Sequence, residues 1–312
     1  MTSRIIPEDL IAEQVAGVDA RVQGGPYADE AVEVRRAARF LDTLVERLGL
    51  RGPATSLTPP TGKPQYLLRL ADSSGAPVVL KVYGRRRPAE AAVQRVWREH
   101  GVPTAKVLAH GDEPVSWLLM AELPGAPPAT GSAELTPALA RLMAHAHQVD
   151  IGAVPGTTRL FDAVARHLRA VAAAAAAHGY PMPEDLTDRS QALMTDGPRL
   201  CLHGDLTPVN LLVEGGSIHV LDTCGYVGPP EFDAARWCAR VGGAGRAREL
   251  LARWLAVETE LDATRAAGLL ALELVMEAGV REIVKDERGQ DASAPDPATE
   301  ALLAAAIAVD AP

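Results

Sequence analysis

The sequence predicts an α+β fold in two lobes, a small antiparallel-sheet lobe followed by a mainly helical one. Three observations carry that prediction. Apolar, β-rich runs cluster between residues 65 and 123. A turn-rich stretch, LPGAPPATG at 123–131, closes this region like a hinge. Beyond the hinge, apolar residues recur mainly at helical spacing.

Taken in order, residues 28–49 contain DEAVEVRRAARFLDTLVERL, apolar at helical intervals and stopping before Gly49, which predicts one N-terminal helix. QYLLRLADSSGAPVVLKVYG at 65–84 holds two β-rich runs joined by DSSGAP and reads as a hairpin. Pro88 suits the first turn of a helix, and AEAAVQRVWREHG carries that helix to a stop at Gly101. AKVLAHG and VSWLLMAEL read as two further strands. After the hinge, helices are expected over 134–149, 159–178, 184–195, 231–240, 245–258 and 262–287, with a weaker one over 297–309. The run VAAAAAAH at 171–178 belongs inside one of these, because alanine is the best helix former. One β island interrupts the helices: RLCLHGD, then NLLVEGGSIHVLD turning at Gly215–Gly216. The expected domains are a helical segment 1–50, a sheet lobe 51–123 and a helical lobe 124–312, with no internal repeat.

The chain has 312 residues, enough for one large or two moderate domains. No apolar run approaches 20 residues, and charges interrupt MTSRIIPEDLIAEQ where a signal peptide would need an apolar core. The three cysteines, Cys201, Cys224 and Cys238, are too sparse for a disulfide framework and wrongly spaced for zinc. These features predict a cytoplasmic protein without a membrane segment. Net charge is −9, unevenly spread: residues 1–124 carry 16 basic and 15 acidic groups, residues 125–312 carry 15 and 25. A nucleic-acid partner is therefore not expected. The acidic part suits a cationic small molecule, or is simply a soluble acidic surface.

The chemistry concentrates in LHGDLTPVN (202–210) and HVLDTCG (219–225). Asn210 and Asp222 end the two arms of the short hairpin and offer oxygens to a hard cation. Magnesium prefers such ligands and takes its remaining positions from water and phosphates. Asp205, five residues before Asn210, is left to hold and deprotonate a hydroxyl nucleophile. This acid–amide–acid order is that of the protein-kinase catalytic loop and metal-binding aspartate. Gly204 stands in place of the loop's arginine, and Asp222-Thr223-Cys224-Gly225 in place of its DFG.

HGDLTPVN, VLDTCGYVGPPEFDAARW and LLMAELPG together resemble the aminoglycoside phosphotransferases and related small-molecule antibiotic kinases, a family of protein-kinase-like fold. The resemblance covers roughly residues 50–290. The helix LDATRAAGLLALELVMEAGVREIV is similar to the C-terminal part of the streptomycin and hydroxyurea phosphotransferase branch. The resemblance implies that Lys81 holds nucleotide phosphates and pairs with Glu90, or failing that with Glu99. It implies that adenine lies along Met120, Ala121, Glu122 and Leu123. The phosphate-covering loop would fall in LTPPTGKPQY, with Thr58, Thr61 and Gly62 as candidates, although neither a G-x-G-x-x-G nor a Walker pattern is present there. GPPEFDAA departs from the family's GDPxxDLA at Pro229 and keeps Asp233, expected to brace the catalytic loop.

Other features have plainer readings. His203 is expected to be a buried hydrogen-bonder, His145 and His147 to face different sides of a helix, and Cys224 to pack. Arg85, Arg86 and Arg87 read as a solvated loop. The implied activity is transfer of the γ-phosphate of ATP or GTP, with Mg2+, to a hydroxyl of a small molecule. An aminoglycoside-like antibiotic would meet carboxylates such as Glu273, Glu277, Glu282, Asp286 and Glu287. An uncharged sugar or nucleoside antibiotic is a further reading, as is a metabolic kinase acting on choline, a hexosamine or a glycated amine. A nucleotide-binding pseudokinase is a third, disfavoured by the joint presence of Lys81, Asp205, Asn210 and Asp222. The chain is expected to act as a monomer or homodimer.

Overall fold

The computed structural model describes residues 5–22, 29–57, 65–85, 87–129, 132–151, 154, 156–180, 186–287 and 296–310. The expectations at Thr58, Thr61, Gly62 and Arg86, and those for the side chains of Asp286 and Glu287, lie outside the described residues. The chain divides into two compact units, residues 1–95 with 105–123, and residues 96–104 with 124–312.

The first unit starts with helices α1 (Glu8–Val22), α2 (Asp29–Ala38) and α3 (Leu41–Arg47). The single helix expected over 28–49 is therefore two. Phe40 N–H closes a tight turn on Ala37 O at 3.1 Å between them. Val34, Ala37, Leu41 and Leu44 are buried in sequence across that turn, so the apolar period carries through the break and hides it. A five-stranded antiparallel sheet follows. It consists of β1 (Arg51–Ser56), β2 (Gln65–Ala71), β3 (Pro77–Tyr83), β4 (Val107–Gly111) and β5 (Trp117–Ala121), in the order β1-β2-β3-β5-β4. Helix α4 (Pro88–Glu99) lies between β3 and β4 in the chain.

Alternation along β3 sorts its side chains between two cores. Val78, Leu80 and Val82 join Leu68, Trp117, Ile6 and the N-terminal helices through Val18, Val34, Leu41 and Leu44. The N-terminal helices thus share a core with the sheet. Val79 and Tyr83 point the other way, with Ala91, Leu118 and Met120. Lys81 has the parity of this second face.

The second unit is mainly helical: α5 (Thr136–His147), α6 (Leu160–Ala177), α7 (Leu186–Thr195), α8 (Glu231–Leu255), α9 (Ala263–Glu287) and α10 (Pro297–Asp310). The two helices expected over 231–240 and 245–258 are both present, and α8 spans them with a break at Gly243, where φ is 52° and ψ −153°. Two short strands were not foreseen: β6 (Thr158–Arg159) and β10 (Tyr226–Gly228). β10 runs parallel to β6 and antiparallel to β7 (Leu200–Leu202). The expected hairpin is present as β8 (Leu211–Glu214) and β9 (Ser217–Val220). Gly215 and Gly216 turn it with φ of 55° and 86°, the paired positive values that a two-residue hairpin loop of type I′ requires.

Candidate active site

In the first unit, Lys81 on β3 and Glu90 on the first turn of α4 form a buried ion pair, with Nζ–Oε1 at 2.9 Å. Only 2% of Lys81 and 7% of Glu90 are exposed. Tyr83 Oη donates to the other carboxylate oxygen of Glu90, so both oxygens are held. Glu90 therefore occupies the position that the sequence offered first. The β5 stretch places Met120 in the core, while Ala121 N–H donates to Lys106 O (2.9 Å) and Glu122 N–H to Pro77 O (3.3 Å). Those two amides are spent within the sheet. A base lying along this edge would rely on neighbouring backbone groups instead.

In the second unit, the catalytic-loop candidates come together through the backbone. Leu221 N–H donates to Asn210 O at 2.9 Å, drawing the two ends of the β8–β9 hairpin together and setting Asn210 beside the segment that carries Asp222. Cys224 N–H donates to His203 O at 2.8 Å and pins the following residues to the loop. Gly204, with φ of 82°, lies so close to Tyr226 that an added Cβ would stand 2.6 Å from its ring. That crowding explains glycine where protein kinases have arginine. Asp222 has φ of 58° and is the one non-glycine residue with positive φ among the described residues. Such a conformation is strained for most side chains and is tolerated best by aspartate and asparagine.

Asp205 keeps a third of its side chain exposed (34%). Asn210 Nδ2 donates to Asp205 O (2.8 Å) and to its Oδ2 (3.0 Å). Arg236 Nη2 donates to Oδ1 at 2.8 Å. Arg236 on α8 also reaches Glu273 on α9, with Nη1–Oε2 at 2.8 Å, and one turn on Arg240 pairs with Glu277 at 2.7 Å. Glu273 is fully buried. Glu273 and Glu277, expected to meet a cationic substrate, are thus already matched by arginines. Glu282, also buried, accepts a hydrogen bond from Thr299 at 2.5 Å. Burial, reinforced by the charges of Arg236 and Arg240, pushes His167 down to about 4, against the opposing pull of Asp205. His167 is consequently neutral beside this cluster at ordinary pH.

A deeper network supports the loop. Asp233, wholly buried, accepts the N–H groups of His203 and Gly204, both at 2.9 Å, and His147 Nε2 at 2.9 Å. His147 Nδ1 faces Glu258 Oε1 at 3.2 Å, and Trp254 Nε1 donates to Glu258 Oε2 at 2.8 Å. Burial alone would lower the pKa of His147. Its hydrogen bonds and charge interactions with Asp233 and Glu258 overcome that and push it up to about 9. Asp233 stays below the usual carboxylate range because His147 and the loop amides outweigh its burial. The bracing role expected of Asp233 is what its contacts describe. His145 lies on the exposed side of α5, with Nε2 2.8 Å from His100 O, so the two histidines do face apart. His203 is completely buried, and Asp205 N–H lies 3.3 Å from its Nδ1.

Sequence reasoning missed Arg236, Glu258 and the part played by His147. One signal was available for the first: an arginine three residues after Asp233, inside the otherwise apolar FDAARWCA. Among the described residues no cluster of three or more His, Cys, Asp or Glu side chains could hold a metal by itself. One aspartate and one asparagine oxygen still suit a hard ion that takes its other ligands from water and phosphate.

A buried lysine–glutamate pair on a small sheet, and a helix-rich unit carrying an H-G-D loop, an asparagine and a left-handed aspartate, together define a kinase-like phosphotransferase. Sequence comparison agrees: the profile of the phosphotransferase enzyme family (APH) matches residues 57–269, and the chain belongs to that family. No curated protein matches the chain. Among solved structures it is similar in fold to amicoumacin kinase in complex with AMP-PNP, Ca2+ and amicoumacin, at 18% identity and TM-score 0.59, covering 88% of this chain and 94% of that one. A choline/ethanolamine kinase family protein from Mesorhizobium loti is similar at 18% identity and TM-score 0.57, over 89% and 94% of the two chains. A macrolide 2'-phosphotransferase from Brachybacterium faecium is similar at 20% identity and TM-score 0.51, over 84% and 96%. Among the described residues no helix is long and apolar enough to cross a membrane.

Proposed function

We propose that this phosphotransferase moves the γ-phosphate of ATP or GTP to a hydroxyl of a small-molecule antibiotic, giving resistance by modification in the cytoplasm. The observation that carries the reading is Asp205: a part-exposed carboxylate with Asn210 on one oxygen, beside a hairpin whose other end leads into the left-handed Asp222. Asp205 orients the acceptor hydroxyl and takes its proton. Lys81, fixed by Glu90, holds nucleotide phosphates. The oxygens of Asn210 and Asp222 would hold magnesium, which neutralises phosphate charge when bound. The chain needs no covalent intermediate; orientation and charge placement supply the rate.

The pairing of Glu273 with Arg236 and of Glu277 with Arg240 favours a sparsely charged acceptor, a sugar- or nucleoside-bearing compound, over a polycationic aminoglycoside. A metabolic acceptor such as choline is the second reading, supported by the fold likeness to the choline/ethanolamine kinase family protein. The deciding experiment screens purified protein against antibiotics and metabolic alcohols for acceptor-dependent ADP or GDP release, with mass spectrometry for the added phosphate. Phosphorylated antibiotic at submillimolar acceptor supports the proposal. Turnover confined to choline or related amines replaces it with the metabolic reading. No transfer to any member of the panel, with ATP bound, rejects it.

A further inference from the structure

We propose that Arg236 is a positioning residue for Asp205, locked in turn by the buried Glu273, so that a Glu273–Arg236–Asp205 relay sets the orientation of the base. The inference rests on the reading of Asp205 as the group that receives the acceptor proton. Arg236 Nη2 lies 2.8 Å from Asp205 Oδ1 and Nη1 lies 2.8 Å from Glu273 Oε2. Asn210 meets the other oxygen of Asp205 at 3.0 Å. A carboxylate gripped on each oxygen from a different element cannot rotate freely about its last bond. The lone pairs left over then point in a fixed direction.

The first turn of α8 grips the loop twice. Asp233 and Arg236, three residues apart, share one face of the helix. Asp233 holds the amides of residues 203 and 204, and Arg236 holds the side chain of residue 205. Backbone and side chain of the catalytic loop are therefore referenced to the same rigid element. Glu273 contributes the rear anchor from α9 and is fully buried.

Stability does not account for this arrangement. A buried ion pair is often replaced by apolar residues without loss, because desolvation cancels most of its attraction. The fit here is also incomplete: Arg236 Nε and Glu273 Oε1 are buried with no protein partner among the described residues. A relay that adds little stability and ends on the base is explained by what it does to the base. His167, neutral at ordinary pH, with Arg240 and Glu277, completes the titratable surroundings of Asp205 on α6, α8 and α9.

The test compares wild type, Asp205→Asn, Arg236→Lys and the double variant Arg236→Met/Glu273→Leu, which removes both buried charges together. Crystal structures with Mg2+ and AMP-PNP should show Asp205 in one orientation in wild type. In the double variant its carboxylate should turn away from Asn210, with the rest of the loop unchanged. ADP release from Mg·ATP, with water as acceptor, should fall about 10²-fold in the double variant, the scale of an ångström's misplacement. KM for ATP and thermal midpoint should stay at wild-type values, which a purely structural role would not allow. Arg236→Lys, which can meet one carboxylate but not bridge two, should recover part of kcat. Asp205 keeping its wild-type orientation and Asn210 bond in the double variant would overturn the relay. Full turnover in Asp205→Asn would instead overturn the base assignment, so the two failures are distinct.

Discussion

Lys81 Nζ and Glu90 Oε1 stand 2.9 Å apart, both side chains more than nine-tenths buried, on a strand and a helix nine residues apart in sequence. A buried pair like this is costly to break on one side only, since the abandoned charge has no water to turn to. Lys81→Met should therefore lose about 3–5 kcal/mol of stability. The double variant Lys81→Met/Glu90→Leu should regain most of it. Both should lose transfer activity, about 10²–10³-fold if Lys81 is the preorganised phosphate contact proposed above. Urea denaturation of the single and double variants checks the first point; equal stabilities would show that the pair is not energetically coupled.

Asp205→Asn keeps the size of the side chain and its place between Asn210 and Arg236 but removes the proposed base. Turnover should drop by about 10²–10⁴-fold, the range for general-base removal, while nucleotide affinity holds. Steady-state kinetics paired with fluorescent-nucleotide titration would resolve this. A loss confined to nucleotide affinity would place Asp205 on the nucleotide instead.

Much of this site was legible in sequence because its parts are local. Asp205 and Asn210 sit on one loop, Asp222 ends the hairpin that follows, and a two-residue glycine turn fixes the register between them. Lys81 and Glu90 were legible through the family resemblance, which asks for a strand lysine and a glutamate near the start of the next helix. The Arg236–Glu273 contact was not, because it joins residues 37 apart through the packing of α8 against α9. Strands β6 and β10, two and three residues long, exist only by pairing with each other and with β7, so no local pattern announces them. The division of α2 from α3 was hidden by an apolar period that runs through the turn.

Asp222 combines a proposed metal-binding role with a conformation that resists substitution, and the two can be separated. In the left-handed region an ordinary side chain costs roughly 1–2 kcal/mol more than glycine, with asparagine and aspartate partly exempt. Asp222→Asn and Asp222→Gly should therefore be at least as stable as Asp222→Ala. All three should lose magnesium-dependent nucleotide binding, since none carries the carboxylate. Thermal melts with and without Mg·ATP test both statements. If the asparagine variant keeps the wild-type magnesium dependence, Asp222 is not a ligand.

Two histidines, His147 fully buried and His167 partly buried, give the fold a stability optimum near neutral pH. His147 is raised to about 9 in the folded protein by Asp233 and Glu258, against an unfolded value near 6.5. Its contribution is therefore complete below about pH 6.5 and is lost as pH climbs toward 9, where the folded form must give up its proton. His167 moves the other way, to about 4, through burial and the charges of Arg236 and Arg240. The unfolded chain then binds a proton between about pH 6.5 and 4 that the folded chain refuses, so stability falls with acidity over that window. Asp233, held below its ordinary value, adds a further loss once pH drops below the normal carboxylate range. Denaturant midpoints measured from pH 4 to 10 should rise to a maximum at about pH 6–7 and decline on both sides. His147→Gln should lower the whole curve and flatten its alkaline limb, because glutamine can donate to only one of the two carboxylates and does not titrate. His167→Gln should flatten the acid limb between about pH 6.5 and 4 and leave the alkaline limb intact. An alkaline limb that survives His147→Gln unchanged would mean that a different group, not the histidine clamped between Asp233 and Glu258, links folding to pH.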